Sequence, residues 1–298
     1  MSAGEPPRYD TVTFLSDYGN RDEFAGVVRS VLRQLAPGVT VIDLTHEIPP
    51  FDVRAGSLAL ARSVQYLAPG VLLAVVDPGV GSDRRAVAVE IADGAAVLVG
   101  PDNGLLAAAV AMVGGASRAV VLDNPDYHLA APGPTFDGRD VFAPAAAHLC
   151  TGVDLHELGT PLDPAELLPG LLPIARHEDG ELVAEVLWVD HYGNCQINVE
   201  PDDLTEMGER IAVRAGDRTR IARRVRTFAD VGPGELGLIV DSYGLLALVV
   251  DQASAAAELH LDAGDEVHLS AVGEARDVDA ASSTPTPVTL GRRPGVGR

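Results

Sequence analysis

From Val12 onward, short apolar runs alternate with stretches of helical period. VTFLSD reads as a strand, EFAGVVRSVLRQLAP as a helix and VTVIDLT as a second strand. VRAGSLALARSVQYL is again helical and VLLAVVDPG extended, followed by the paired strands AVAVEIA and AVLVGPDNG. GLLAAAVAMVGG, AVVLDN and VFAPAAAHLCTG continue as helix, strand and helix. This succession predicts an α/β domain with a largely parallel sheet. The pattern changes between Asp154 and Pro173, which are rich in Pro and Leu and read as a connection. Beyond it ELVAEVLWVD, CQINV, RIAVRA, ELGLIVDS, LLALVVDQ and DEVHLSA predict closely spaced short strands, hence a small β domain.

These patterns divide the 298 residues into an N-terminal α/β domain over 10–165, a linker over 166–180, a β domain over 181–271 and a tail over 272–298. The leader and the tail are too polar and Pro-rich to join a core, so disorder is expected there. Apolar residues make up 47% of the chain, yet no run approaches the roughly 20 needed to cross a bilayer. The start has neither a basic nor an apolar signal region, and Cys150 and Cys195 lie far apart with no CxxC spacing. A soluble cytoplasmic protein is the expectation. The net charge of −21 opposes binding to phosphate backbones, so neither nucleic acid nor membrane is expected as a partner. An acidic surface is ordinarily a solubility device, but acids placed inside motifs would suit a cationic substrate.

Three predicted strands end in polar or Gly-rich groups: Ser16-Asp17, Asp77-Pro78-Gly79 and Pro101-Asp102-Asn103-Gly104. Ligands of open α/β sheets bind outside the carboxyl ends of the strands, so the site is sought there first. No phosphate-loop, nucleophile-elbow or HExxH pattern occurs, and Gly79 and Gly81 lack the third glycine of a dinucleotide fingerprint. Taken singly, the acids have ordinary readings. Asp17 and Asp22 in SDYGNRDEF suit a helix start, and Asp77 with Arg84 and Arg85 in VVDPGVGSDRR suits an ion pair. Asp137, Arg139 and Asp140 in PTFDGRDVF suit a cap, and Asp190, Tyr192 and Asn194 in VDHYGN a hairpin turn.

Their order is more specific than any one of them. SDYG, THEIPPFDV, VVDPGVGS, GPDNGLL, TFDGRD, VDHYGN and DSYGLLALVV succeed one another over about residues 10–271. This set resembles the S-adenosylmethionine hydroxide adenosyltransferases, the hydrolase relatives of the 5′-fluorinases and chlorinases. The resemblance implies an α/β fold: an N-terminal three-layer α/β/α domain with a largely parallel sheet, then a C-terminal β-barrel-like domain. It implies a homotrimer with substrate between one subunit's N-terminal domain and a neighbour's C-terminal domain. It also implies hydrolysis of S-adenosyl-L-methionine to adenosine and methionine, with no metal or organic cofactor. By position, Asp17 would grip the ribose hydroxyls, Phe51 would pack on the ribose, and Asp22 and Asp190 would lie near the methionine ammonium. Tyr192 and Phe228 would sandwich adenine, Asn194 would face it, and Ser242 and Tyr243 would receive the methionine carboxylate.

The resemblance separates hydroxide from halide at Asp77. The halogenases carry tyrosine and threonine where this chain has Asp77 and Val80, and serine or glycine at the position of Gly138. Two like charges 4 Å apart at an effective dielectric near 20 repel by about 4 kcal/mol, so a carboxylate at 77 disfavours a halide and favours water. Arg84 would hold both the acid and the water. One departure stands out: the hydrolase motif reads TFHGRD, and this chain has Asp137 in place of the histidine. Two acids then flank Arg84, and close like charges favour sharing of a proton. Asp137 is expected to replace the imidazole as base; His128 and His191, near other motifs, are the alternative donors of that function. A halogenase, a non-catalytic sensor of S-adenosylmethionine or adenosine, and a scaffold without ligand remain the competing readings.

Overall fold

A computed structural model describes residues 9–170 and 172–272; residues 1–8 of the expected 1–9 leader and most of the expected tail lie outside them, whereas Tyr9 is buried in the N-terminal core. The N-terminal sheet contains β1 (Thr11–Ser16), β2 (Thr40–Thr45), β3 (Gly70–Val75), β4 (Ala86–Ile91), β5 (Ala96–Pro101), β6 (Ala116–Val121) and β7 (Thr160–Leu162). Their spatial order is β2-β1-β3-β5-β4-β6-β7. The strands β2, β1, β3, β5 and β6 share one direction, while β4 and β7 run against them. The reversal at β4 follows from length: only four residues join it to β5, enough for a hairpin and too few for a parallel crossover.

Helices cover both faces of the sheet. α1 (Phe24–Leu35) and α4 (Ala143–Cys150) pack on one side, α2 (Val53–Ser63) and α3 (Ala107–Met112) on the other. Successive strand residues serve opposite layers, because side chains alternate along a strand. Val12 and Phe14 of β1 join Ala25, Val28, Val31 and Leu32 of α1, whereas Leu15 meets Leu60 of α2. With both faces covered, β1 and β3 are buried throughout, which is why they read as apolar runs without alternation. The three-layer α/β/α domain with a parallel-rich sheet is therefore as expected.

The C-terminal unit comprises β8 (Arg176–Glu178), β9 (Glu181–Val189), β10 (Cys195–Ile197), β11 (Arg210–Ala215), β12 (Arg218–Arg224), β13 (Leu236–Val240), β14 (Leu246–Val250), the short helix α5 (Ala255–Leu259) and β15 (Glu266–Ala271). β9-β10-β14-β13-β12-β11-β15 close on themselves through the β15–β9 pairing, forming a seven-stranded barrel with β8 added to β9. Alternate residues such as Leu182, Ala184 and Val186 fill its interior. β12 is a strand that the apolar pattern did not predict. In its sequence RTRIARR, Arg220 pairs with Glu258 and Arg223 with Glu235, and a two-residue Gly216-Asp217 loop joins it to β11. The predicted linker is likewise structured in part: β8 lies within 166–180.

The two units touch through α2 and β9. Arg54 forms an ion pair with Glu185, and the Arg62 guanidinium lies 4.2 Å from the centre of the Trp188 ring. Cys150 and Cys195 belong to separate cores, and burial pushes both thiols up to about 12. Neither thiol is therefore expected to react with a thiol reagent at pH 8 until the fold is opened, and both should react in denaturant. Rapid labelling of the native protein would contradict this packing.

Candidate active site

The carboxyl ends of β1 and β3 converge on the segment leading into α4, and charged groups meet there. Asp77 follows β3 and is 6% exposed. A glycine-containing turn after it returns Arg84, whose Nε lies 3.0 Å from both Asp77 carboxylate oxygens while Nη2 also donates to Oδ2. The same Nη2 donates to Asp137 Oδ2, so one guanidinium bridges two acids separated by 60 positions in the chain. Burial lowers the Arg84 pKa and the bonds to Asp77 and Asp137 raise it; the bonds prevail, and the guanidinium is held firmly charged. Its face rests on the Phe142 ring at 5.3 Å. Residues 138–142 form one π-helical turn before α4, the kind of wide turn often found at functional sites.

Asp17 stands at the end of β1, half-buried, and its Oδ2 accepts the Phe51 N–H at 2.9 Å. Burial, aided by the Asp77 charge, holds its carboxyl above the usual range despite the opposing Phe51 bond. Phe51 itself has φ of +68°, a left-handed conformation costing about 1–3 kcal/mol for a bulky residue, and the residue is 72% exposed. Asp17, Phe51, Asp77, Arg84 and Asp137 thus occupy one corner of the N-terminal domain, as an acidic centre that Arg84 only partly neutralises. Asp22 stands exposed in the bend before α1.

The barrel holds a second set. A groove of about 970 Å³ is lined by Trp188, Asp190, Tyr192, Asn194, Phe228, Ser242 and Tyr243, among others. All lining residues come from the barrel; the acidic corner of the same chain contributes none. Tyr192 is 77% exposed at its rim. Two hairpins build the groove on one plan. Asp190 Oδ1 accepts the N–H groups of Tyr192 and Asn194, both at 2.9 Å; Asp241 Oδ1 accepts those of Tyr243 and Leu245 at 2.8 and 3.2 Å. Gly193 and Gly244 complete these turns with φ of +83° and +85°. Asp190 Oδ2 also accepts from the Asn194 side chain at 2.8 Å, so both of its oxygens brace the turn.

The third polar strand end lies apart from this chemistry. Asp102 accepts from Arg85 Nε and from the Leu168 N–H, each at 2.8 Å, and fastens the chain leading to the barrel. Among the described residues, neither His128 nor His191 bonds to the Arg84 cluster; His191 stacks edge-on against Tyr192 at 5.6 Å. Sequence reasoning passed over Tyr18, wedged among Phe14, Phe24 and Phe136, and the buried chain from Ser16 Oγ to His46 Nδ1 at 2.8 Å and on to Asp43. The repeated V-D-x-Y-G of 189–193 and 240–244 was the signal for the twin hairpins.

Family models described as the N-terminal and C-terminal domains of SAM hydroxide adenosyltransferase match residues 12–159 and 184–268. The chain belongs to this family. A protein of Salinispora tropica named (R)-S-adenosyl-L-methionine hydrolase is 44% identical over 87% of this chain and 97% of its own length. A Thermus thermophilus protein of the same name is 42% identical, over 87% and 98%. A protein of Actinoplanes named fluorinase is 28% identical, over 85% and 95%. Among solved structures, an uncharacterized conserved protein from Thermotoga maritima superposes with a TM-score of 0.79 at 32% identity, covering 87% of this chain and 99% of that one.

Two substitutions test the electrostatics of this hydroxide adenosyltransferase centre. Because the folded pKa of Asp17 is raised, its ionisation weakens the fold; the penalty is absent below the ordinary carboxylate range and enters as pH rises. Asp17→Asn, which still offers Phe51 an acceptor, should melt at or above the wild-type temperature at pH 7, and the gain should vanish below about pH 4. Arg84→Met strands two largely buried carboxylates and should lower the unfolding free energy by about 3–5 kcal/mol in urea titrations.

Proposed function

We propose that this chain hydrolyses S-adenosyl-L-methionine to adenosine and L-methionine by attack of water on C5′ of the ribose. The observation that carries this reading is the partly buried Asp77–Arg84–Asp137 cluster at the strand ends, in a chain of this family. A carboxylate 6% exposed repels a halide, and the hydrolases are more similar to this chain than the fluorinase is. The names of the hydrolase relatives specify the (R) form of the substrate, and the same epimer is proposed here.

The reaction is a displacement. A water oxygen forms a bond to C5′, the C5′–S bond breaks with its electron pair passing to sulfur, and a water proton passes to a carboxylate. Both Asp77 oxygens accept from Arg84, whereas Asp137 meets Arg84 through Oδ2 alone. Asp137 is therefore assigned as proton acceptor, and Asp77 as the acid that orients the water. Asp17 would hold the ribose hydroxyls, with Phe51 against the sugar. Orientation can supply about 7–11 kcal/mol of the barrier, and general-base help about 10²- to 10⁴-fold. No metal or organic cofactor enters this scheme.

The adenine and methionine ends are assigned to a neighbouring copy's barrel groove, making a homotrimer with interfacial sites. This is supported by the exposed Tyr192, Phe228 and Tyr243 rings and by a groove that takes nothing from its own acidic corner. Tyr192 and Phe228 would stack on adenine beside Asn194; Ser242 and Tyr243 would take the methionine carboxylate, and Asp22 and Asp190 would lie near its ammonium. A cytoplasmic setting belongs to the same proposal; no helix among the described residues is long and apolar enough to cross a membrane.

Chromatography after incubation with S-adenosylmethionine and chloride should show adenosine and methionine, with no 5′-chloro-5′-deoxyadenosine. Tight binding without turnover would instead identify a sensor. Asp77→Asn and Asp137→Asn should each lower kcat by about 10²-fold or more; full turnover by Asp137→Asn would remove that residue from the mechanism. Native mass spectrometry should give three times the chain mass. Mixing Asp77→Asn with Tyr192→Ala subunits should restore partial activity, because one intact site then forms across an interface.

A further inference from the structure

Tyr18 follows Asp17 directly, and its ring is fixed from three sides. Phe14 lies 6.3 Å away edge-on, Phe24 5.8 Å away and tilted, and Phe136 5.7 Å away edge-on. Its backbone N–H is tied to Ser16 Oγ at 3.3 Å. A ring held this way directs its hydroxyl to one place, and that place is Gly138. A Cβ built on Gly138 would meet the Tyr18 oxygen at 2.1 Å, its Cζ at 3.1 Å and Cε2 at 3.3 Å. The hydroxyl thus occupies the space that any larger residue at 138 would fill. Gly138 adjoins Asp137, and the charges of Asp17, Asp77, Asp137 and Arg84 all act on the phenol.

The chemistry of that hydroxyl is fixed by its surroundings. Burial, reinforced by the three carboxylates, keeps the phenol protonated throughout the working pH range, so it is a neutral donor. Among the described residues the protein gives this hydroxyl no hydrogen-bond partner. Tyr18 is only half-buried, so this hydroxyl, set among aromatic rings beside three acids and without a protein partner, is open to a water molecule and can hold one.

We infer that Tyr18 is a positioning residue of the hydrolytic centre, whose hydroxyl holds the attacking water against the Asp77–Arg84–Asp137 cluster, and that Gly138 is glycine to admit it. The inference rests on the hydrolase reading. A phenol O–H donated to the water oxygen fixes one lone pair, leaving the other free for C5′ and the water's own protons free for Asp137. No bond to Tyr18 is made or broken during the reaction. Its contribution lies in orientation, so it is felt in kcat more than in substrate binding.

The test is a double-mutant cycle on the full chain, following adenosine release at saturating S-adenosylmethionine together with thermal melting. Tyr18→Phe keeps the ring and should melt within about 2 °C of wild type. Its kcat should fall about 10- to 100-fold with KM changed less than threefold. Gly138→Ala drives a methyl group against the hydroxyl and should lower both kcat and melting temperature. In the Tyr18→Phe background the oxygen is gone and only the 3.1 and 3.3 Å ring contacts remain, so Gly138→Ala should cost markedly less of each. Wild-type kcat in Tyr18→Phe, or equal effects of Gly138→Ala in both backgrounds, would overturn the inference while leaving the hydrolase reading intact. A wild-type protein that releases no adenosine would overturn both.

Discussion

One guanidinium must satisfy two largely buried carboxylates, and much of the local chain geometry answers to that requirement. Arg84 reaches Asp77 only because the chain reverses tightly between them, and it reaches Asp137 only because the segment before α4 crosses over that turn. Gly81, with φ of +80°, sits where a Cβ would meet the Pro134 carbonyl oxygen at 2.8 Å, so the two segments approach through glycine. Gly79 leaves room for the Arg84 stem: a Cβ there would lie 3.3 Å from its Cγ. Without the arginine the two acids would stand largely buried and uncompensated, a cost of several kcal/mol in a domain whose net stability is of the order of 10. The acids and the arginine therefore stand or fall together.

The layers were legible in the chain because full burial on both faces leaves a signature. VTFLS and VLLAV carry apolar residues without alternation, as central strands must when helices cover both sides. β12 was illegible for the opposite reason. Only Ala222 of its seven residues is buried, and Arg220 and Arg223 pair with acids distant in sequence. The same contrast holds in the site. Asp77 and Arg84 are seven residues apart, and the glycines between them announce a turn that brings them together. Tyr18 carried no such signal, because its role depends on an absent side chain at position 138, and an absence shows only once the two segments have been folded against each other. Asp102 misled in the other direction: a polar strand end looks the same whether it faces a ligand or, as here, fastens Arg85 and Leu168.

The two domains divide the chemistry by physical type. The N-terminal corner concentrates charge that cannot be removed from water without a partner. The barrel presents flat rings over a groove in which Asp190 and Asp241 also hold the hairpins. A flat, weakly polar base suits the second surface and a sulfonium cation the first. On the proposed substrate these two ends lie a few bonds apart, so the two surfaces must meet across a boundary. The exposed rings of Tyr192 and Phe51, one from each domain, mark where such a boundary would close.

Charge attraction by itself cannot accelerate this displacement, and the composition of the corner reflects that limit. Asp17, Asp77 and Asp137 with Arg84 leave an excess of negative charge. Each uncompensated unit attracts a sulfonium 5 Å away by about 3 kcal/mol at an effective dielectric near 20. That attraction is greatest in the bound substrate and fades as the carbon–sulfur bond breaks, so it favours the ground state over the transition state. Unopposed acids would therefore bind the substrate tightly and slow its reaction. By cancelling one of the three charges, Arg84 trims this ground-state stabilisation while keeping in place the carboxylates that the proposal makes acceptors for the water. On the proposed mechanism, rate would then come from the placement of the water and from the Asp137 oxygen that the guanidinium leaves uncovered. Neither gains anything from a stronger field, and both depend on angstrom-scale geometry that the bridging arginine and the packed rings around Tyr18 supply.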